Sequence, residues 1–220
     1  MSEGCGFSLI ASAKTDRVCY MILPGGFSRD LEESLRAMSA DYSCSVVLID
    51  SIDWNDDLTP WPAPGVFKKA KPFGGRAETF LSLMTEIIIP DAERKLDVMN
   101  PRRILLGVSL SGLFAVWACC NTDLFADIVS ISGSLWYDGF SNWLEKAELS
   151  RNVGNICLVL GEKEKNSKES RMMTVEEETI RVYGLLKAKS AGTVSFRLVE
   201  GTHFSPIGPR MRCAFDMLGL

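Results

Sequence analysis

The chain has 220 residues, a hydrophobic fraction of 46%, a charged fraction of 24% and a formal net charge of −4. That size allows one domain with a real core, and a single unit over residues 1–220 without a separate lid domain is the expectation. The acidic balance gives no general attraction to nucleic acid or to anionic membranes, and no apolar run approaches the roughly 20 residues of a membrane helix.

In chain order, the opening "MSEGCGFSLIASAKTD" lacks a basic region followed by an apolar stretch, so no signal peptide is expected and the expected location is cytoplasmic. Within it, "GFSLIAS" (6–12) reads as an antiparallel edge strand. The runs "VCYMILP" (18–24), "SVVLIDS" (45–51), "RRILLGVS" (102–109), "DIVSISGS" (127–134), "NICLVLGE" (155–162) and "VSFRLVEG" (194–201) follow. They are rich in valine, isoleucine and leucine and mostly do not alternate with polar residues, as strands covered on both faces do.

Amphipathic segments lie between these runs. "SRDLEESLRAM" sets Leu31, Leu35 and Met38 on one face, and "RAETFLSLMTEIII" does so with Ala77, Phe80, Leu81, Met84 and Ile88, ahead of Pro90. "TVEEETIRVYGLLKAK" repeats the pattern. Alternating strands and helices predict an α/β fold: a doubly wound, mostly parallel sheet of about six to seven strands with helices on both faces. Ligands in such sheets bind outside the carboxyl ends of the strands. One long irregular stretch, 53–75, carries Pro60, Pro62, Pro64 and Pro72 and is expected to be functional or mobile. The seven cysteines have no C-x-x-C spacing and the chain has one histidine, so the cysteines read as small hydrophobes and no metal site is expected.

Gly107-Val108-Ser109-Leu110-Ser111 matches G-x-S-x-G except at its last position, and it stands between a strand and a helix as that motif requires. The turn lifts its central residue, Ser109, to the sheet edge, and Ser111 stands in for a packing glycine. A chance run of small residues would look similar. His203, the one histidine, falls after the last strand, where a base for Ser109 belongs. An acid to orient it should lie between the two in sequence. Glu164 has the better reach out of the strand end after Gly161; Glu162 and Asp138 are the alternatives. Backbone N–H groups of Leu110 and of Gly25 or Gly26 could form an oxyanion hole. Trp54, Trp61 and Trp136 fall in loops at the same end and line either a substrate pocket or the core. Trp117 and Phe114, inside the apolar helix, read as core.

With these residues in view, the chain resembles the putative esterase family of α/β hydrolases, which includes esterase D-like, enterochelin esterase-like and feruloyl esterase-like enzymes. The likeness is carried by "DLTPW" (57–61), "GVSLSGLFAVWA" (107–118), "SGSLWYDGF" (132–140), "LGEKE" (160–164) and "EGTHFSPIGPRM" (200–211), and is nearest to small bacterial members. The resemblance implies an α/β-hydrolase fold, with the serine at Ser109, the histidine at His203, the acid at Glu164 and the first oxyanion donor at Pro24 to Gly26. The elbow departs from the common Gly-Gly at Ser111-Gly112, and some enterochelin esterase-like members manage with a serine–histidine pair. The expected activity is a serine carboxylic-ester hydrolase acting on a small ester or thioester through an acyl-enzyme. Acyl transfer by the same residues, or a non-catalytic hydrolase-fold binding protein, are the alternatives. No cofactor is implied; the expected partner is a small-molecule ester, and a homo-oligomer is compatible with all of this.

Overall fold

The computed structural model describes residues 6–12, 15–23, 29–67 and 69–220, with Asp30 described by its backbone alone. Nine strands follow in chain order among the described residues: β1 (Phe7–Ile10), β2 (Arg17–Ile22), β3 (Ser45–Ile49), β4 (Pro62–Ala63), β5 (Phe73–Gly74), β6 (Arg102–Val108), β7 (Asp127–Ile131), β8 (Asn155–Gly161) and β9 (Thr193–Val199). The helices are α1 (Arg29–Asp41), α2 (Trp54–Asp57), α3 (Ala77–Leu83), α4 (Ile89–Leu96), α5 (Leu110–Ala118), α6 (Phe140–Lys146), α7 (Ser170–Met173), α8 (Val175–Lys189) and α9 (Ile207–Leu218).

Seven strands form one sheet in the order β1-β3-β2-β6-β7-β8-β9. β1 runs antiparallel to β3 at one edge, and every other pairing in the sheet is parallel. The continuous apolar runs are explained by the two faces. Along β2, Val18, Tyr20 and Ile22 point into the core under α3, α4, α5 and α8, while Cys19 and Met21 point into the core under α1 and α9. A strand covered on both sides has no solvent face, so it needs no polar alternation. This is the doubly wound, mostly parallel arrangement that the alternating pattern predicts, and it agrees with the α/β-hydrolase fold that the resemblance implies.

Three local expectations differ from the structure. The run at 194–201 becomes β9, the far edge of the sheet, with Leu198 42% exposed; an edge strand has only one neighbour and need not be covered on both faces. The helix begun at Ala77 passes Pro90, because a π-helical turn at Met84–Ile88 resets the ladder and places the proline in the first turn of α4, where its missing N–H is not needed. The stretch 53–75 is organised, with α2 and a short β4–β5 ribbon. Buried Thr59 holds it together, its hydroxyl donating to the Asn55 carbonyl at 2.8 Å and accepting from the Gly75 N–H at 3.0 Å.

At the amino end of the parallel strands, opposite the edge of interest, the buried carboxylate of Asp127 receives Arg102 Nε and Nη2 at 2.6 and 2.7 Å and Asn155 Nδ2 at 2.7 Å. Arg102→Ala leaves that carboxylate with one side-chain donor in place of three. We expect it to lower unfolding free energy by about 2 kcal/mol, read as a lower urea midpoint.

Candidate active site

β6 ends at Val108 and α5 begins at Leu110, so one residue makes the whole turn. That residue, Ser109, has φ 61° and ψ −120°, a backbone conformation that costs a non-glycine residue energy. The neighbouring small residues are what permit it. A Cβ on Gly107 would lie 1.9 Å from the Ser111 carbonyl oxygen, and one on Gly112 would lie 2.8 Å from Ser130 Oγ and 2.9 Å from the Gly133 Cα. The turn is therefore closed around glycine at both places, with α5 pressed against β7.

Ser111 does more than replace a glycine. It is fully buried; its Oγ accepts from the Val108 N–H at 2.7 Å and lies 2.6 Å from the Ile22 carbonyl oxygen and 2.8 Å from that of Val108, to one of which its proton is donated. It thereby pins the elbow to the end of β2. Gly25 and Gly26, which follow β2 in the sequence, lie outside the described residues. The Leu110 N–H occupies the first helical position of α5, where no intrahelical acceptor exists.

The elbow is also tied to the loop after β7. The Ser134 N–H donates to the Ser109 carbonyl at 2.9 Å, and the two hydroxyls lie 3.5 Å apart. From the same loop Ser132, at φ 50°, donates its hydroxyl to Glu164 Oε1 at 2.6 Å. Glu164 opens a 3-10 turn three residues past the end of β8, which folds its side chain back over the strand end, where Oε1 also accepts from the Gly161 N–H at 2.8 Å. Its other oxygen, Oε2, lies 2.8 Å from His203 Nδ1. Ser109, Glu164 and His203 thus stand at the carboxyl ends of β6, β8 and β9, the edge where such sheets bind ligands.

Among the candidate acids the geometry separates three environments. The Glu164 side chain is 2% exposed and paired with His203. The Glu162 side chain is 50% exposed, with Lys163 at 3.8 Å. Asp138 meets Arg171, which also reaches the carbonyls of Pro64 and Gly65 and so straps α7 to the 53–75 stretch. Burial pushes the Glu164 carboxyl up, but hydrogen bonds from His203, Ser132 and the Gly161 N–H outweigh it, and the net direction is down.

A cavity of about 300 Å³ opens beside His203 and Glu164, walled by Trp136, Met172, Val175 and Phe204, with Lys163 at its lining. Of the three tryptophans only Trp136 lines it. Trp61 donates its indole N–H to the Asp138 carbonyl at 2.9 Å and packs on Tyr137 and Trp143, while Trp54 packs against the core. Phe114 and Trp117 are buried in the core. Cys19, Cys44 and Cys157 are buried, which pushes their thiols up, that of Cys44 to about 12 and that of Cys157 to about 11. Among the described residues no His, Cys, Asp and Glu group is arranged to hold a metal ion.

Two polar residues of this edge lie within segments that carry the family resemblance but have no catalytic motif to announce their role. Ser132 is one. The other is Arg210 on α9, buried, with Nη1 bonded to Ser132 Oγ and 3.4 Å from Glu164 Oε1. The available signal was an arginine on the core face of an amphipathic helix, in phase with Met211, Ala214 and Phe215.

Because the folded Glu164 carboxyl titrates below its unfolded value, the stability it contributes is fully present above the ordinary glutamate range and is lost as pH falls through the folded value. Glu164→Gln should therefore give a shallower fall in Tm than the wild type as pH goes from about 5 to about 3, measured by circular dichroism.

The family described as Putative esterase matches residues 28–203. The uncharacterized protein YbbA of Bacillus subtilis (strain 168) is 31% identical over 137 residues, which cover 61% of this chain and 55% of that protein. The chain thus matches little more than half the length of that curated relative. Among solved structures, an IroE-like serine hydrolase from Shewanella oneidensis superposes with a TM-score of 0.77 at 16% identity, covering 96% of this chain and 74% of the other. The siderophore hydrolase EstA from Aspergillus nidulans gives a TM-score of 0.70 at 21% identity, covering 99% and 94%. These structural likenesses carry the fold, and the sequence match over most of the chain carries the family: the chain belongs to the putative esterase family, built on an α/β-hydrolase fold.

Proposed function

We propose that this protein is a serine carboxylic-ester hydrolase in which Ser109 is the nucleophile, His203 the general base and acid, and Glu164 the group that orients the imidazole. The observation that carries the reading is the buried Glu164 carboxylate 2.8 Å from Nδ1 of the one histidine, on the sheet edge that also holds Ser109 in its one-residue turn. With Nδ1 engaged by Glu164, Nε2 is the nitrogen left to take the Ser109 proton. Ser109 Oγ then bonds to the ester carbonyl carbon, whose π electrons move onto the oxygen and are held by the Leu110 N–H and by the backbone N–H of Gly25 or Gly26. The carbonyl reforms as the alkoxide leaves with the proton from His203. Water, deprotonated by His203, releases the acid and regenerates the serine.

The largely apolar cavity beside His203 supports an ester or thioester with an apolar group large enough to touch Trp136 and Met172. Acyl transfer to an alcohol or thiol would use the same residues with a different second nucleophile, and its signature would be faster turnover on adding that acceptor.

The test is hydrolysis of para-nitrophenyl acetate and butyrate. Ser109→Ala should lower kcat/KM by at least about 10⁴-fold, and Glu164→Gln should lower it by about 10²- to 10⁴-fold. Glu162→Gln should match the wild type. Full activity in Glu164→Gln overturns the acid assignment. No turnover by the wild type between pH 6 and pH 9 favours a hydrolase-fold binding protein.

A further inference from the structure

Arg210 is 2% exposed, and burying a guanidinium is costly unless its donors are met and its charge is balanced. Desolvation drives its pKa down, opposed by the charge of Glu164. A helix packed into the core could have carried an aliphatic residue at this position, as it does at Met211 and Ala214. What the arginine does there is specific. Nη2 donates to the Thr202 carbonyl at 3.0 Å and to the Ser205 carbonyl at 2.5 Å, the two ends of the turn that carries His203. Nη1 donates to Ser132 Oγ and stands 3.4 Å from Glu164 Oε1, the oxygen that does not face the histidine.

We propose that Arg210 is a positioning residue: one planar guanidinium that fixes the His203 turn and the Glu164 carboxylate relative to each other, with Ser132 as the relay between arginine and acid. This rests on the roles given above to His203 and Glu164. The geometry uses the properties that distinguish arginine from lysine. Its donors are spread in a rigid fork, so one side chain spans the loops after β7, β8 and β9, whereas an ammonium concentrates its three donors at one point. Ser132 Oγ both accepts from Arg210 and donates to Glu164 Oε1, which locks the direction of its single proton. With Oε1 occupied by Ser132, the Gly161 N–H and Arg210, only Oε2 is presented to the imidazole.

The single histidine makes a direct test practical. With the full chain labelled with 15N-histidine, the ring nitrogens report the tautomer and the low-field Nδ1 proton, independently of ester turnover. The wild type should give one tautomer, protonated on Nδ1, with a proton protected from exchange. In Arg210→Met and Arg210→Lys that proton should exchange freely and the tautomers should mix. For para-nitrophenyl acetate, kcat should fall about 10²-fold with KM nearly unchanged, the size expected of a small misplacement of a catalytic group. Ser132→Ala should move both readouts in the same direction by a smaller amount. Folded Arg210 variants with the wild-type proton signal and kcat overturn the proposal. So does a loss of kcat no greater than the loss of folded protein seen by circular dichroism. If Arg210→Met does not fold, Arg210→Lys and Ser132→Ala decide by the same readouts. A wild type that hydrolyses no ester yet shows the protected proton, lost in the Arg210 variants, supports the clamp while removing the hydrolase reading.

Discussion

A carboxylate withdrawn from water must be met by donors, and at Glu164 the fold supplies them from four separate places. They are the strand end that precedes it, the loop after β7, the turn after β9 and the last helix. The consequence is geometric. Three loops that belong to neighbouring parallel strands are drawn together over the carboxyl edge of the sheet, and the imidazole of His203 has its Nδ1 committed to Glu164. The loop after β7 then connects this cluster to the elbow, since Ser134 of the same loop binds the Ser109 backbone. The loop after β7 thus joins the elbow, through Ser134, to the Glu164–His203 pair, through Ser132.

The second constraint is steric and sits at Ser109. The positive φ there is affordable because Gly107 and Gly112 let β6, α5 and β7 approach to distances that no Cβ would allow. Ser111 offsets part of the strain by satisfying the Val108 N–H and reaching the end of β2. A serine in place of the common glycine is thus a tie between two strands, which a glycine could not provide. Opposite this edge, the Arg102–Asp127 pair and the Tyr20–Glu93–Arg103 group close the amino ends of the strands. Polar networks therefore stand at both ends of the central strands, while the cores on either side of them are largely apolar.

Much of this was legible in the sequence. Unbroken apolar runs gave the parallel strands because neighbouring residues on one strand face opposite cores, as Cys19 and Tyr20 do. The strand–turn–helix context alone left Ser109 open between a nucleophile and a chance small-residue turn, and the one histidine after the last strand is what made it the candidate. The three candidate acids were separated only by structure, since exposure of Glu162 and the Asp138–Arg171 contact depend on how distant loops meet. Ser132 and Arg210 were not read because Ser132 meets Glu164 across 32 residues and Arg210 meets Ser132 across 78, and no local pattern encodes those meetings. The 53–75 stretch looked irregular because its prolines mask a two-residue ribbon, and Trp61, which the sequence left open between a substrate pocket and the core, is held by Asp138 and its aromatic neighbours.

The central claim is that Ser109, and no other hydroxyl at this edge, is made nucleophilic by its surroundings. The most direct measurement is to treat the protein with a fluorophosphonate and locate the adduct by mass spectrometry with fragmentation to single residues. One adduct per chain on Ser109, lost on prior denaturation, is the predicted result. An unmodified chain, or an adduct on Ser111 or Ser134 with Ser109 untouched, would contradict the account.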